Sequence, residues 1–300
     1  MEFVFEEYRS YLQAIAYRLL GSSAEAEDAV QECWLRYRRA GPSIQDPRKW
    51  LGTVVARICL DQLRARGARR EVPLLPDPIV ADDDPERAAV EADAVGIALL
   101  VVLGTLSPAE RVAFVLHDAF GVPFDELAPI LDRTPAAVRQ LASRGRRRAR
   151  EAPVPDPDLR RQRRVVGAFL AAARDGDLDG LVAVLDPELE LRALTPGGLR
   201  TLRGAADVSR EAALFAGRAV QATPVLVNGS AGLLVPGTAL LAFTVSGDRI
   251  RSIAIYTAGA HHGQRPDGRP WVRPDRSVAI DAVDAHDGRR EDGGEGGQGR

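Results

Sequence analysis

The chain has 300 residues, 45% of them hydrophobic, and a formal net charge of −2 at pH 7. This length and composition predict roughly two globular domains with ample apolar material for their cores. A net charge so close to zero excludes a basic field over the whole surface, so any nucleic acid must be bound by local patches.

Two cysteines occur, Cys33 and Cys59, and neither belongs to a pairing motif. They predict a reduced, cytoplasmic protein in which Cys33 is a small buried hydrophobe, with a redox sensor as the alternative. The apolar run of residues 95–103 is shorter than a bilayer requires. We therefore expect no membrane span, no signal peptide and no membrane partner.

The first 70 residues are predicted to form three helices. The first helix ends at Gly21, and the capping box Ser22-Ser23-Ala24-Glu25 opens the second. The dipeptide Asp46-Pro47 is a good start for a third helix, which we expect to run to about Arg66.

An acidic, proline-rich stretch at residues 71–86 is predicted to be a semi-extended linker. The next unit, residues 87–152, is predicted to be helical. The capping box Ser107-Pro108-Ala109-Glu110 opens one of its helices, and Thr134-Pro135 opens the last. Residues 133–150 carry seven arginines and no acidic side chain.

The last two helices of this unit have the spacing of a helix-turn-helix. Apolar residues recur at helical spacing after Gly121, and the turn Asp132-Arg133 leads into the arginine-rich helix. In this motif the second helix enters the major groove of DNA. A solvated basic helix in an ordinary bundle is the alternative, but the well-capped helix before it favours DNA binding.

After a second proline-rich linker at residues 153–159, the pattern predicts an α+β domain over residues 160–262. Two helices are followed by segments of period two, which predict strands, and by a helical crossover. Asn228-Gly229 and Gly247-Asp248 mark hairpin turns. We therefore expect a cone-like domain with a curled antiparallel sheet.

The predicted fold class is multidomain, with two all-α helical modules followed by this α+β domain. Residues 263–300 lose all periodicity, and their last part is rich in glycine, glutamate and arginine. This tail is predicted to be disordered.

Two stretches of the helical half resemble a known family. Residues 24–35 (AEAEDAVQECWL), followed by residues 46–51 (DPRKWL), resemble region two of the extracytoplasmic-function (ECF) sigma factors. Residues 106–150 resemble region four of the same family. The resemblance implies an alternative sigma factor, not an enzyme, that binds core RNA polymerase and directs promoter-specific transcription initiation.

The resemblance implies roles for three sets of residues. An acidic patch around one leucine faces the clamp helices of the polymerase β′ subunit: Asp28, Gln31, Glu32 and Leu35. The third helix faces the minus-ten element of promoter DNA, where an aromatic ring stacks on a base and arginines hold phosphates: Trp50, Arg57, Arg64 and Arg66. The arginine-rich helix faces the minus-thirty-five element: Arg139, Gln140, Ser143, Arg144 and Arg147.

Two of these assignments have alternatives. The indole of Trp50 also suits a place in the core, and the acidic patch also suits a merely solvated helix face. Family members often carry an asparagine around position 58 that holds a flipped base. This chain has Ile58-Cys59 there, which departs from the family pattern.

Residues 160–259 resemble the SnoaL-like, nuclear-transport-factor-two-like domain that is fused to one group of these sigma factors. The resemblance lies in residues 165–178 (VVGAFLAAARDGDL), Val227-Asn228-Gly229 and Asp248-Arg249-Ile250. It implies a domain that packs on the sigma regions and modulates their activity. A small-molecule ligand in the cone is a further expectation, and no cofactor or metal is expected.

The same fold also hosts enzymes, whose chemistry needs a buried acid or base beside a hydrogen-bond donor. We predict no inward-facing pair among the polar groups that this domain offers: Glu188, Glu190, Asp207, Tyr256 and His261. No catalytic residue is therefore expected. The competing interpretation of the whole chain is a helix-turn-helix regulator with a ligand-sensing C-terminal domain and no polymerase role.

Overall fold

The computed structural model of the protein describes residues 2–40, 44–69, 75–81, 96–214 and 216–258. The predicted tail at residues 263–300 lies outside them, as does most of the predicted linker at residues 71–86. Among the described residues, no helix is long and apolar enough to cross a membrane.

Three helices form the first unit: α1 (Glu2–Leu20), α2 (Ser23–Ala40) and α3 (Pro47–Ala68). Gly21 ends α1 with a φ of 75°, a left-handed conformation that glycine adopts without strain. The Asp46 carboxylate accepts the Lys49 N–H at 3.0 Å and so caps α3. These helix ends confirm the prediction from the sequence.

The connector that follows ends its described part in the short strand β1 (Val80–Ala81). The second helical unit then contains α4 (Ile97–Gly104), α5 (Pro108–Phe114), a π-helical turn (Val115–Ala119), α6 (Phe124–Leu131) and α7 (Pro135–Ala149). Ser107 and Glu110 form the predicted capping box. Asp132, with a φ of 54°, turns the chain from α6 into α7. The predicted helix-turn-helix is thus confirmed.

The C-terminal unit begins with α8 (Leu159–Asp175) and α9 (Leu178–Val184). Its other elements are β2 (Leu185–Thr195), β3 (Gly198–Arg203), α10 (Ala205–Leu214), α11 (Ala216–Ala219), β4 (Thr223–Val227), β5 (Ser230–Val235), β6 (Ala239–Ser246) and β7 (Arg249–Thr257). The strands form one open sheet in the order β4-β5-β6-β7-β2-β3. The α+β class is confirmed.

The prediction of an antiparallel sheet was wrong at one pair of strands. β2 and β7 run parallel, so the sheet is mixed. β2 and β7 are neighbours in the sheet but are far apart in the sequence, with no hairpin joining them. Turn residues in the sequence predict only hairpin pairs, so they gave no information on this pair. β3, which pairs with β2 as a hairpin, was also not predicted.

The described part of the predicted linker packs against the C-terminal sheet. Val80 pairs with Val227, which adds β1 to the sheet edge beside β4. Leu75, Pro76 and Pro78 are buried. The prolines keep the connector extended, but the apolar residues among them give it a surface to pack against the sheet.

Two apolar clusters cover the two faces of the C-terminal sheet. One lies between α8 and the sheet and includes Phe169 and Phe243. The other joins both helical units to the opposite face through residues such as Leu240 and Tyr256. Because successive residues of a strand point to opposite faces, Leu240 and Phe243 of β6 serve different clusters. Both faces of the sheet are therefore buried.

Gly145 lets α7 cross closely over α5. A Cβ at this position would lie 2.7 Å from Phe114 Cβ and 3.2 Å from the Glu110 carbonyl oxygen. We expect Gly145→Ala to lower the free energy of unfolding by about 1–3 kcal/mol, because the two helices must move apart. Chemical denaturation followed by circular dichroism measures this change.

Gly167→Ala is the matched control, since Gly167 lies within α8 and, apart from its chain neighbours and the backbone of its own helix, no atom lies within 4 Å of the added methyl group. It should raise the free energy of unfolding by roughly 0.5–1 kcal/mol, because alanine favours helix more than glycine does. Similar effects of the two substitutions would contradict the close crossing of α5 and α7.

Candidate polymerase and promoter interface

The four predicted polymerase-binding residues lie on the open face of α2. Asp28 and Gln31 are exposed, and Leu35 keeps 45% of its surface exposed, unusual for a large apolar side chain. Glu32 is half-buried and pairs with Arg36 one turn away. The opposite face of α2 is buried in the core, so this patch is held rigidly and faces outward.

Both cysteines lie in the core of the first unit. Cys33 and Cys59 are fully buried and form no disulfide. Burial raises the pKa of each thiol to about 12, so both remain protonated near neutral pH. Because the thiolate is the reactive form, this favours the interpretation of Cys33 as a small apolar residue over a redox sensor.

The four predicted minus-ten residues of α3 differ in their surroundings. Trp50 is half-buried, with its ring 5.9 Å from that of Tyr37, which suits the core alternative. Arg66 donates to the Leu20 carbonyl at 3.1 Å and also pairs with Glu25. The other two, Arg57 and Arg64, are exposed.

Contacts between the two helical units hold α3 against α5 and α6. Lys49 Nζ lies 3.0 Å from Glu126 Oε1, and the Arg57 guanidinium donates to the Pro129 carbonyl at 3.2 Å. A cleft of about 270 Å³ lies between the units, lined by both apolar and charged side chains. The predicted promoter-facing helix α3 is thus packed against the helix-turn-helix.

The arginines of α7 fall into two groups. Arg144 Nε and Arg148 donate to the Glu110 carboxylate at 2.8 Å and 3.2 Å, and Arg146 Nε donates to Asp118 at 2.7 Å. The predicted reader Arg144 is therefore tied to α5. The other four predicted readers are exposed: Arg139, Gln140, Ser143 and Arg147.

Glu110 links the cap of α5 to the arginine-rich helix. Burial raises the pKa of its carboxyl group, but hydrogen bonds from Ser107 and Arg144 outweigh burial and lower that pKa below the ordinary 4.5. The sequence identified Glu110 as a capping residue and missed its second role. The sequence feature that could have indicated this second role is Gly145, because a glycine within a helix permits the close approach of α7 to α5.

Comparison with known proteins agrees with this arrangement. Residues 4–69 match the family described as Sigma-70 region 2, and residues 97–148 match Sigma-70, region 4. The chain is 44% identical over 221 residues to the ECF RNA polymerase sigma factor SigJ of Mycobacterium tuberculosis, covering 69% of this chain and 70% of SigJ. The probable ECF RNA polymerase sigma factor SigI of the same species is 41% identical over 188 residues, covering 60% of this chain and 65% of SigI.

The crystal structure of Mycobacterium tuberculosis SigJ superposes with a TM-score of 0.72 at 35% identity, over 90% of this chain and 100% of that chain. This chain belongs to the ECF sigma factor family. It is an alternative sigma factor that directs transcription initiation by core RNA polymerase at promoter DNA. A helix-turn-helix regulator without a polymerase role is not favoured. The C-terminal domain of this sigma factor is SnoaL-like.

A buried hydrogen-bond network joins the C-terminal domain of the sigma factor to α1 and the connector. The Tyr17 hydroxyl donates to the Asp77 carbonyl at 2.6 Å and accepts a hydrogen bond from Asn228 Nδ2 at 2.8 Å. Asn228 Oδ1 accepts the Ile79 N–H at 2.9 Å, and the Asn228 N–H donates to the Ile79 carbonyl at 2.8 Å. One side chain of a hairpin turn therefore contacts both α1 and the connector.

Tyr256 of β7 adds a second polar contact to this junction. Its buried hydroxyl donates to the Pro76 carbonyl at 2.8 Å, and burial raises the pKa of both Tyr17 and Tyr256. The sequence identified Asn228 only as a turn residue and Tyr256 only as a polar group. The left-handed φ of 49° at Asn228 fits the predicted tight turn. An asparagine in a turn does not reveal which distant groups its side chain will contact.

The other polar groups considered for catalysis do not converge. Glu190 pairs with Arg192 and Arg203 at 3.0 Å and 3.2 Å, and Asp207 pairs with Arg210. Glu188 is exposed, and His261 lies outside the described residues. Within the described part of the chain, no cluster of three or more His, Cys, Asp or Glu residues has the arrangement of a metal site.

Glu110→Gln tests the link between α5 and α7. Glutamine retains the capping geometry but removes the charge that Arg144 and Arg148 face. We expect a loss of roughly 1–3 kcal/mol of unfolding free energy at pH 7. Because the pKa of Glu110 is lowered in the folded state, its contribution is present above pH 4.5 and is lost as the pH falls through the lowered pKa.

Denaturation of both proteins at a series of pH values measures this effect, and the difference between them should shrink below pH 4.5. Glu151→Gln is the control, since Glu151 is exposed just after α7. A difference between Glu110→Gln and the natural protein that is independent of pH would show that the charge of Glu110 is unimportant.

Proposed function

We propose that this sigma factor binds polymerase through α2 while its two promoter-reading units are held together, and that reading a promoter requires them to separate. In this proposal residues 1–70 are region two and residues 87–152 are region four, joined by the linker at residues 71–86. Residues 160–262 are the regulatory domain, and residues 153–159 join it to region four.

The α2 patch is the proposed contact to the clamp helices of the polymerase β′ subunit. Its acidic residues suit a basic partner surface, and the exposed side chain of Leu35 supplies an apolar centre. The main contacts of α2 are with α1 and α3, and Asp28, Gln31 and Leu35 are exposed. The patch is therefore available in the arrangement seen here.

Promoter reading requires region two and region four to reach two DNA elements that lie far apart. The minus-ten and minus-thirty-five elements are roughly 25 base pairs apart, which is about 85 Å along B-form DNA. In this structure Lys49 of α3 is 3.0 Å from Glu126 of α6. Units in direct contact do not span two elements so far apart, and this contact is the observation that carries the proposal.

In the separated form, we propose that α3 reads the minus-ten element with Trp50, Arg57, Arg64 and Arg66. Arg57 and Arg66 exchange their present backbone partners for phosphates. The exposed face of α7 reads the minus-thirty-five element with Arg139, Gln140, Ser143 and Arg147, joined by Arg144 when it leaves Glu110.

In this proposal the C-terminal domain stabilises the closed form, in which region two and region four are in contact. The network of Tyr17, Asn228 and Ile79 and the pairing of β1 with β4 hold the connector that must extend when the units separate. The domain acts by contact and not by catalysis in this proposal, because the carboxylates considered for catalysis are paired with neighbouring arginines or exposed.

Charge reversal on α2 tests the polymerase contact. We expect the double variant Asp28→Lys, Glu32→Lys to lose at least tenfold in affinity for core RNA polymerase, because two lysines then face a basic surface. Fluorescence anisotropy of labelled sigma factor, titrated with sigma-free core enzyme, measures the affinity. Glu7→Lys on exposed α1 is the control and should bind normally. Normal binding of the double variant would disprove this role of α2.

Asn228→Gly tests the closing role of the C-terminal domain. Glycine accepts the left-handed backbone of Asn228 but removes the side-chain hydrogen bonds to the Tyr17 hydroxyl and the Ile79 N–H, while the backbone bond to the Ile79 carbonyl remains. We expect a larger radius of gyration by small-angle X-ray scattering and faster amide exchange in residues 75–81, with a smaller effect of the same sign for Tyr17→Phe.

Asp248→Gly, an exposed change in the β6–β7 hairpin turn, is the matched control and should leave both readouts unchanged. The closing role is wrong if Asn228→Gly and Tyr17→Phe also leave the scattering and the exchange of residues 75–81 unchanged.

A further inference from the structure

An aromatic contact lies where the helix-turn-helix faces solvent. Phe124, the first residue of α6, is half-buried, and the imidazole of His117 stacks on its ring with centroids 3.8 Å apart and an interplanar angle of 26°. His117 is itself anchored, since its Nδ1 lies 3.0 Å from the Val122 carbonyl oxygen. The ring of Phe124 is therefore held in place from one side.

The guanidinium carbon of Arg139 lies 5.3 Å from the centroid of the same ring. The ring of Phe124 therefore contacts both the imidazole of His117 and the guanidinium of Arg139. An arginine laid on an aromatic ring gains a cation–π attraction and loses rotational freedom in the unbound protein.

Arg139 differs in this respect from three other arginines of α7. Arg144, Arg146 and Arg148 donate their N–H groups to carboxylates. Within the described chain no carboxylate pairs with Arg139, and its guanidinium carbon lies over the Phe124 ring, 5.3 Å from the centroid. The N–H groups at the edge of the guanidinium thus stay available for a base.

The position of Arg139 also suits base recognition. It lies in the N-terminal half of α7, and in a helix-turn-helix the N-terminal residues of the second helix contact the base edges. An arginine reads guanine through two parallel hydrogen bonds, which demand a defined orientation of the guanidinium plane.

We propose that Phe124 is a positioning residue that sets the base preference of Arg139 at the minus-thirty-five element. The inference rests on the proposed reading role of Arg139. Phe124 does not contact DNA bases in this scheme. It holds the guanidinium of Arg139 in the plane that the base requires, so its effect is confined to the base pairs that Arg139 reads.

The test uses holoenzyme assembled from the full-length sigma factor and core RNA polymerase. A library of promoter duplexes, randomised in both elements, is bound to the holoenzyme, and the recovered DNA is sequenced. The variants are Phe124→Leu, Phe124→Trp, Arg139→Ala and the double variant Phe124→Leu, Arg139→Ala. Leucine keeps an apolar side chain without a ring, whereas tryptophan keeps a ring for the guanidinium.

Arg139→Ala should abolish the preference at one or two base pairs of the minus-thirty-five element. Phe124→Leu should weaken the preference at those same pairs about two- to fivefold and leave the others unchanged. Phe124→Trp should preserve it. In the Arg139→Ala background, Phe124→Leu should have no further effect, because the residue that it positions is gone.

Three outcomes would overturn the inference. A uniform loss of recovery across all sequences with Phe124→Leu would mean that the ring only stabilises the helix-turn-helix. A preference lost at pairs that Arg139→Ala does not affect would mean that Phe124 acts independently. Unchanged base preferences with Arg139→Ala would disprove the reading role of Arg139. The Arg139→Ala variant alone shows this, so failure of the proposed reading role is distinguished from failure of the positioning role of Phe124.

Discussion

The carboxyl end of α1 presents carbonyl groups that its own helix cannot satisfy, and three other segments supply the donors. Arg66 of α3 donates to the Leu20 carbonyl at 3.1 Å, Arg111 of α5 donates to Arg18 at 3.2 Å, and the connector N–H of Asp77 donates to Gly21 at 2.7 Å. The negative end of the α1 dipole favours both arginines. Region two, region four and the connector therefore meet at one helix end.

Arg111 is the donor that region four contributes to this helix end. Its side chain is buried, and burial lowers its pKa to about 10, so it still carries its charge near neutral pH. A buried charge is tolerated only with hydrogen-bond partners. The partner of Arg111 belongs to another unit, so region four cannot leave α1 without solvating a guanidinium and exposing helix-end carbonyls. Departure of region four therefore breaks the Arg111 contact, whereas the Arg66 contact lies within region two.

Much of the local structure could be predicted because its causes are local. Ser107, Thr134 and Asp46 cap helices through hydrogen bonds within four residues, and the turn at Asp132 depends on its own backbone. The parallel pairing of β2 with β7 and the addition of β1 to the sheet depend instead on distant partners. Tyr17 and Asn228, separated by 211 positions, are an extreme case. The ties of Arg144 to Glu110 and of Arg66 to Glu25 were missed for the same reason, since a basic face alone does not identify its neutralising partners.

The burial of both faces of the C-terminal sheet limits how long a free, opened molecule can survive. Separation of the units would uncover apolar side chains such as Val225, Leu240 and Tyr256, together with the edge of β4 that β1 now covers. An uncovered apolar face beside an unpaired strand edge is prone to self-association and to capture by chaperones or proteases. In the proposed function, a molecule that opens away from polymerase is therefore directed toward aggregation or degradation, and its short lifetime protects against untimely transcription.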